Sequence, residues 1–186
     1  MVVIKVENVV VSGTLGVSLD LSNIASRIKE TKYNSNDFPG LTYYLDGPKT
    51  TTLLFEDGKI ISTGAKSIED ACAAVEIIAQ RIKEVEELNE ISPEVNIQNI
   101  VTSTELGAEL NLEAISMSMP QDDMEYNPER FPGIVYRANG TGVTMLLFGS
   151  GKIVTTGGTT PEEVESAIDG LIDELKALGM LKNVLS

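Results

Sequence analysis

The residue types in this chain favour binding over catalysis. All four phenylalanines fall in two pairs, Phe38/Phe55 and Phe131/Phe148, with the members of each pair seventeen positions apart. With no histidine and one cysteine in 186 residues, a His-based triad, a zinc cluster and a disulfide framework are excluded. The strand-like segments carry no clustered carboxylates and no metal-spaced ligands, so neither a catalytic set nor a cofactor is expected. Gly149-Ser150-Gly151-Lys152 looks like a fragment of a phosphate-binding loop. A true P-loop is longer and opens onto a helix, whereas this segment reads as a tight turn between strands.

The positions of these residues follow from an internal repeat. Tyr33-Asn34, Phe38-Pro39-Gly40, Leu53-Leu54-Phe55, Gly58-Lys59-Ile60 and Thr63-Gly64 recur 93 residues later as Tyr126-Asn127, Phe131-Pro132-Gly133, Leu146-Leu147-Phe148, Gly151-Lys152-Ile153 and Thr156-Gly157. Nearer the start the offset is 91: Asn8-Val9-Val10 matches Asn99-Ile100-Val101. The second copy therefore holds a two-residue insertion before Tyr126. The chain reads as a tandem duplication, 1–92 and 93–186, joined near Ser92-Pro93. Two long copies are not a solenoid. No Gly/Ser linker parts them, so one continuous structure is expected.

Each copy predicts the same elements. A Val/Ile-rich strand (2–12; 95–103) precedes a short helix with Leu21, Ile24, Ala25 and Ile28 on one face. A meander follows, with strands near 41–45, 51–55 and 59–63 and their equivalents, parted by Asp46-Gly47-Pro48 and Asp57-Gly58. A long helix (67–90; 161–178) closes each copy. Ser67 with Asp70 and Thr160 with Glu163 resemble capping boxes, and Pro161 suits the first helical position. Cys72 is expected on the buried stripe of the first long helix, as a small apolar residue.

Alternation along the strands makes both sheet faces apolar. Val9 and Val11 share one face, Asn8 and Val10 the other; Leu54 opposes Leu53 and Phe55. Two helices per copy cover only one face, so the other reads as an interaction surface, or as the inside of a sandwich or homodimer. Net charge is −14, which as a bulk figure disfavours nucleic acid. The placement of the charge favours it. The long helices hold thirteen acids against three bases, while the meander 38–66 is balanced and 131–159 carries Arg137 and Lys152 with no acid. A polyanion can dock on such a front despite the acidic back. No apolar run reaches the roughly 18 residues of a membrane span. The valine-rich start is broken by Lys5, Glu7 and Asn8, unlike a signal peptide.

Phe-Pro-Gly, then Leu-Leu-Phe-x-x-Gly-Lys-Ile, then Thr-Gly, each set preceded by Asn-Val-Val or Asn-Ile-Val and the whole present twice, strongly resembles the TATA-box-binding protein family. The resemblance covers nearly the whole chain. The start directly at the first repeat is similar to the archaeal form.

The resemblance implies an α+β saddle, one continuous domain with a ten-stranded antiparallel curved sheet and four main helices on its convex side. It implies a general transcription initiation factor, not an enzyme, that binds the minor groove of A·T-rich promoter DNA. Phe38, Phe55, Phe131 and Phe148 would be the wedges. Asn8, Asn99, Thr63, Thr156, Val10, Val101, Leu53, Leu146, Ile61, Val154, Pro39 and Pro132 would face the bases. Lys59, Lys66, Arg137, Ser150 and Lys152 would hold the backbone. Transcription factor B would dock at Glu129, with RNA polymerase engaged indirectly, a homodimer possible without DNA, and an archaeal cytoplasmic, nucleoid-associated location. Three positions depart from the repeat: Tyr44 stands opposite Arg137, Asp57 opposite Ser150, and Thr159 opposite Lys66. Each removes a backbone contact or adds repulsion.

Overall fold

The computed structural model describes residues 2–181. They group into two compact units, one of Asn8–Gln98 and one of the residues up to Glu7 with those from Asn99 onward. The class is α+β: ten strands, five per repeat, and four α-helices, with antiparallel pairing throughout each repeat's meander.

The first-repeat elements are β1 (Lys5–Thr14), α1 (Leu21–Arg27), β2 (Thr31–Lys32), β3 (Leu41–Asp46), β4 (Lys49–Leu54), β5 (Lys59–Ala65) and α2 (Ile68–Val85). Their strands lie in the order β2-β3-β4-β5-β1. The second-repeat elements are β6 (Glu94–Glu105), α3 (Leu112–Ser118), β7 (Met124–Tyr126), β8 (Gly133–Arg137), β9 (Thr144–Phe148), β10 (Lys152–Gly158) and α4 (Pro161–Ala177), with the order β6-β10-β9-β8-β7. The unit boundary falls inside β1 and β6. A short 3₁₀ turn, Gln121–Asp123, occupies the region of the two-residue insertion. The edge strands β2 and β7 are absent from the sequence reading because they are only two and three residues long.

Within each unit one sheet face is sealed by helices. In the first, Val9, Val11, Leu41, Tyr43, Leu54 and Ile60 are buried beneath Ala71, Ala74, Val75, Ile78, Ala79 and Ile82 of α2 and Leu21 and Ile24 of α1. In the second, Ile100, Ile134, Met145, Leu147 and Ile153 pack with Val164, Ile168, Leu171 and Leu175 of α4. Fully burying one such aliphatic side chain contributes about 1.5–3 kcal/mol, so this layer holds each sheet in place. Four buried polar residues in it are paired, Thr52 donating to Ser62 at 2.8 Å and Thr102 bonding Thr155 at 2.7 Å, while the buried Thr50 Oγ1 has no partner.

Two expectations are corrected. Cys72 is exposed, because the buried stripe runs through Ala71, Ala74, Val75, Ile78 and Ile82 and Cys72 lies about 100° round the helix from Ala71. The first long helix ends at Val85, not near residue 90. Glu87 takes a left-handed φ of 52°, Leu88 N–H donates to Lys83 O at 2.9 Å and Glu87 N–H to Glu84 O at 3.4 Å, which is a Schellman stop. The second helix stops the same way at Gly179 (φ 70°), where Met180 N–H donates to Leu175 O. At the N-termini, Ser67 Oγ accepts Asp70 N–H and Thr160 Oγ1 accepts Glu163 N–H. The Glu163 carboxylate reaches back one residue further than a capping box requires and accepts Thr159 N–H. That bond is the main reason its pKa lies below the ordinary glutamate value.

Candidate nucleic-acid interface

The face left without helices carries a row of cross-strand neighbours in each unit. In the first, Thr42 opposes Leu53, Leu53 opposes Ile61 and Ile61 opposes Ser12. In the second, Val135 opposes Leu146, Leu146 opposes Val154 and Val154 opposes Ser103. Ile61 is 40% exposed, and Val10, Leu53, Val101, Leu146 and Val154 are half-buried. Their strand neighbours Leu54, Ile60, Ile153 and Leu147 are sealed on the helical side. The register of each sheet therefore turns one apolar row toward solvent. Thr42 and Val135 extend these rows and were not singled out in the sequence; counting two positions along from Tyr44 and Arg137 finds them.

Beside each row stands an asparagine. Asn8 Oδ1 accepts Gly64 N–H at 2.7 Å, and its Nδ2 donates to Thr63 Oγ1 at 3.0 Å. Asn99 repeats the pattern, accepting Gly157 N–H at 2.6 Å and donating to Thr156 Oγ1 at 2.9 Å. A backbone N–H can only donate, so the glycine decides which amide atom is the oxygen. The amide nitrogen is thereby presented as a donor. These glycines sit at φ 105° and 93°, and the doubled Thr-Gly was the signal for them.

The phenylalanines meet as their spacing suggested. Phe38 and Phe55 lie edge to face with ring centroids 6.0 Å apart, and Phe131 and Phe148 at 5.7 Å. Phe38 is 44% exposed; the other three are half-buried, and Pro39 and Pro132 are exposed. The glycine of each Phe-Pro-Gly is the seat of its pair. A Cβ at Gly40 would lie 2.7 Å from the Phe38 ring and 3.0 Å from the Phe55 ring. At Gly133 it would lie 2.9 Å from both the Phe131 ring and Leu147 O. An open cleft beside Phe55 is lined by Tyr33, Pro39, Asp57, Lys59 and Ile61 among others.

The basic residues are less available than the sequence suggested. Lys59 Nζ pairs with Asp57 Oδ2 at 3.2 Å. Asp57 Oδ1 also accepts Lys59 N–H at 3.0 Å, and these contacts, that backbone bond first, hold its pKa below the ordinary aspartate value. Arg137 lies 3.9 Å from Glu125 of β7. The span 131–159 itself holds no acid; Glu125 lies outside it, on the edge strand β7. Ser150 Oγ accepts Lys152 N–H at 3.3 Å, and Lys152 is exposed. Lys66 lines a groove with Pro48, Lys49 and Asp70. Glu129 is exposed in the loop after β7, its N–H donating to Asn127 Oδ1 at 3.2 Å.

Among the described residues, no group of His, Cys, Asp or Glu is arranged to hold a metal ion, and no helix is long and apolar enough to cross a membrane. A duplicated α+β unit with one uncovered apolar face per copy defines a binding protein. The family described as transcription factor TFIID, or TATA-binding protein, matches residues 3–85 and 94–178. The chain is 44% identical over 178 residues to the TATA-box-binding protein of Archaeoglobus fulgidus, covering 96% of this chain and 97% of the relative. It is also 44% identical to TATA-box-binding protein 1 of Haloferax volcanii, covering 96% and 94%. The solved structure of Methanococcus jannaschii TBP aligns with a TM-score of 0.85 at 39% identity, over 94% of this chain and 98% of that one. The chain belongs to the TATA-box-binding protein family, a family of transcription factors and not of enzymes.

Proposed function

We propose that this chain is a general transcription initiation factor that binds the minor groove of A·T-rich promoter DNA. The observation that carries the reading is the pair of locked asparagine amides, each leaving one Nδ2–H beyond its bond to threonine beside an apolar row. At A·T pairs the minor groove presents only acceptors, while G·C adds the guanine amino donor. Amide N–H groups meet the acceptors. An apolar row of Val10, Leu53, Ile61, Val101, Leu146 and Val154 leaves a guanine amino group buried and unpaired, at a cost of about 1–3 kcal/mol. In this reading Thr63, Thr156, Pro39 and Pro132 also face bases. The backbone is held by Lys59, Lys66, Arg137, Ser150 and Lys152.

The Phe38/Phe55 and Phe131/Phe148 pairs each wedge into a base step and kink the duplex, a mode for which TATA-box-binding proteins are themselves the standing example. Glu129 contacts transcription factor B, which brings RNA polymerase indirectly. Without DNA the uncovered faces suit a homodimer. The functional halves follow the duplication, 1–92 and 93–186, and the factor works in the archaeal cytoplasm on the nucleoid. No helix of the described residues can span a membrane, and no membrane partner belongs to this reading. A gel shift with an A·T-rich duplex and a G·C-rich duplex of equal length tests it: retardation of the first alone is expected, and equal or absent retardation of both contradicts it.

A further inference from the structure

The loops β4–β5 and β9–β10 are built on one backbone plan. Gly58 N–H donates to Phe55 O at 2.9 Å and Gly151 N–H to Phe148 O at 2.9 Å. The two glycines have φ of 85° and 87°. A Cβ at either would collide with a carbonyl oxygen, Val17 O at 2.2 Å or Ala108 O at 2.1 Å. Each turn also uses one side chain to accept the N–H of its lysine, Asp57 Oδ1 for Lys59 at 3.0 Å and Ser150 Oγ for Lys152 at 3.3 Å. With the backbone held constant, the side-chain charges differ. The first turn reads Glu56-Asp57-Gly58-Lys59, the second Gly149-Ser150-Gly151-Lys152. Only in the first does the residue that caps the turn also hold the lysine ammonium, at 3.2 Å.

We propose that Asp57 acts as an electrostatic latch that weakens the hold of Lys59 on the DNA backbone, so that the first-repeat turn grips phosphate less strongly than the second-repeat turn does through Lys152. The inference rests on the DNA-binding reading above and adds to it a residue that grades the two turns. A neutral Asp57–Lys59 pair releases no counterion when phosphate approaches. A lone lysine on phosphate adds about 0.9 to the slope of log affinity against log salt. The pair is exposed on both sides, with side chains 55% and 72% accessible, so it adds little to the stability of the fold.

The repeat supplies the test substitution. Asp57→Ser installs the side chain that caps the second turn and keeps an acceptor for Lys59 N–H. Anisotropy titrations of a TATA-containing duplex across a salt series would compare wild type, D57S, K59Q and D57S/K59Q, with thermal melts as the folding control. D57S should tighten binding roughly threefold to tenfold near 0.1 M salt, with the gain fading as salt rises. It should also steepen the slope by about 0.9. K59Q should cost D57S more than it costs wild type, and Ser150→Asp should flatten the slope of the second turn in mirror image. Unchanged affinity and slope in D57S, with wild type still binding, would overturn the latch and leave the DNA reading intact. A D57S gain that persists in D57S/K59Q would also overturn it, since the effect would then be plain repulsion by Asp57. Failure of wild type and variants alike to bind at any salt would remove the DNA reading and the latch with it.

Discussion

Asn99 Oδ1 accepts the Gly157 N–H at 2.6 Å, and that bond decides that the amide offers nitrogen, not oxygen, to whatever lies on the uncovered face. Asn99→Asp keeps the acceptor for Gly157 but replaces the donor with a carboxylate facing groove acceptors. Affinity for an A·T-rich duplex should fall at least about tenfold, a loss of roughly 1.4 kcal/mol, while the thermal midpoint moves by only a few degrees. Anisotropy and melting curves on one sample check both.

The seat beneath each phenylalanine pair gives a second expectation. Gly133→Ala places a methyl 2.9 Å from the Phe131 ring and 2.9 Å from the backbone Leu147 O, so both the ring and the β8–β9 backbone must shift. Phe148→Ala removes one ring altogether. Both should reduce DNA bending, read as end-to-end fluorescence transfer on a labelled duplex. Phe148→Ala should leave the fold standing, since Phe148 is half-buried on the face away from the helices. Normal bending in both variants would remove the wedge role.

Glu129 is exposed in the loop between β7 and β8, where its N–H donates to Asn127 Oδ1. Glu129→Arg should abolish the ternary complex with transcription factor B in a gel shift and leave binary DNA binding within about twofold, a change under 0.5 kcal/mol. Recruitment at the wild-type level would take Glu129 out of that contact.

Two of the cations proposed to hold the DNA backbone are already paired with an acid. Lys59 and Arg137 already face Asp57 and Glu125, while Tyr44 and Thr159 occupy positions where the other repeat carries Arg137 and Lys66. Thr159 is moreover engaged with Glu163 through its N–H. A shallow or inverted salt dependence is expected, because each phosphate contact contributes only about 0.9 to the slope and apolar contacts strengthen in kosmotropic salt. Tyr44→Arg with Thr159→Lys should tighten binding most at low salt and steepen the slope. A slope for the unmodified chain as steep as six phosphate contacts would contradict this charge distribution.

Much of this fold is legible from the repeat, because a doubled pattern reports each element twice. The meander strands, both long helices and the pairing of the phenylalanines follow from it. The limits have physical causes. Gly179 announces the end of the second long helix, whereas the first ends on Glu87 in a left-handed conformation, a cap that composition does not signal. Strands of two or three residues such as β2 and β7 carry no period, so Glu125 beside Arg137 went unread. Cys72 illustrates a stripe assigned one position too wide. The Asp57–Lys59 pair needed the geometry of the turn, since an acid two residues from a lysine says nothing about contact by itself.

The central claim is that the uncovered faces read the minor groove, and inosine tests it most directly. An I·C pair keeps the major-groove pattern of G·C but lacks the guanine amino group in the minor groove. Affinity should be measured by anisotropy for three duplexes: the A·T-rich TATA site, the same site with G·C pairs, and the same site with I·C pairs. The account predicts that I·C binds within a few-fold of A·T while G·C is weaker by about tenfold or more, in line with 1–3 kcal/mol per buried unpaired donor. Equal loss on I·C and G·C would show that the sequence is read from the major groove and would contradict the account.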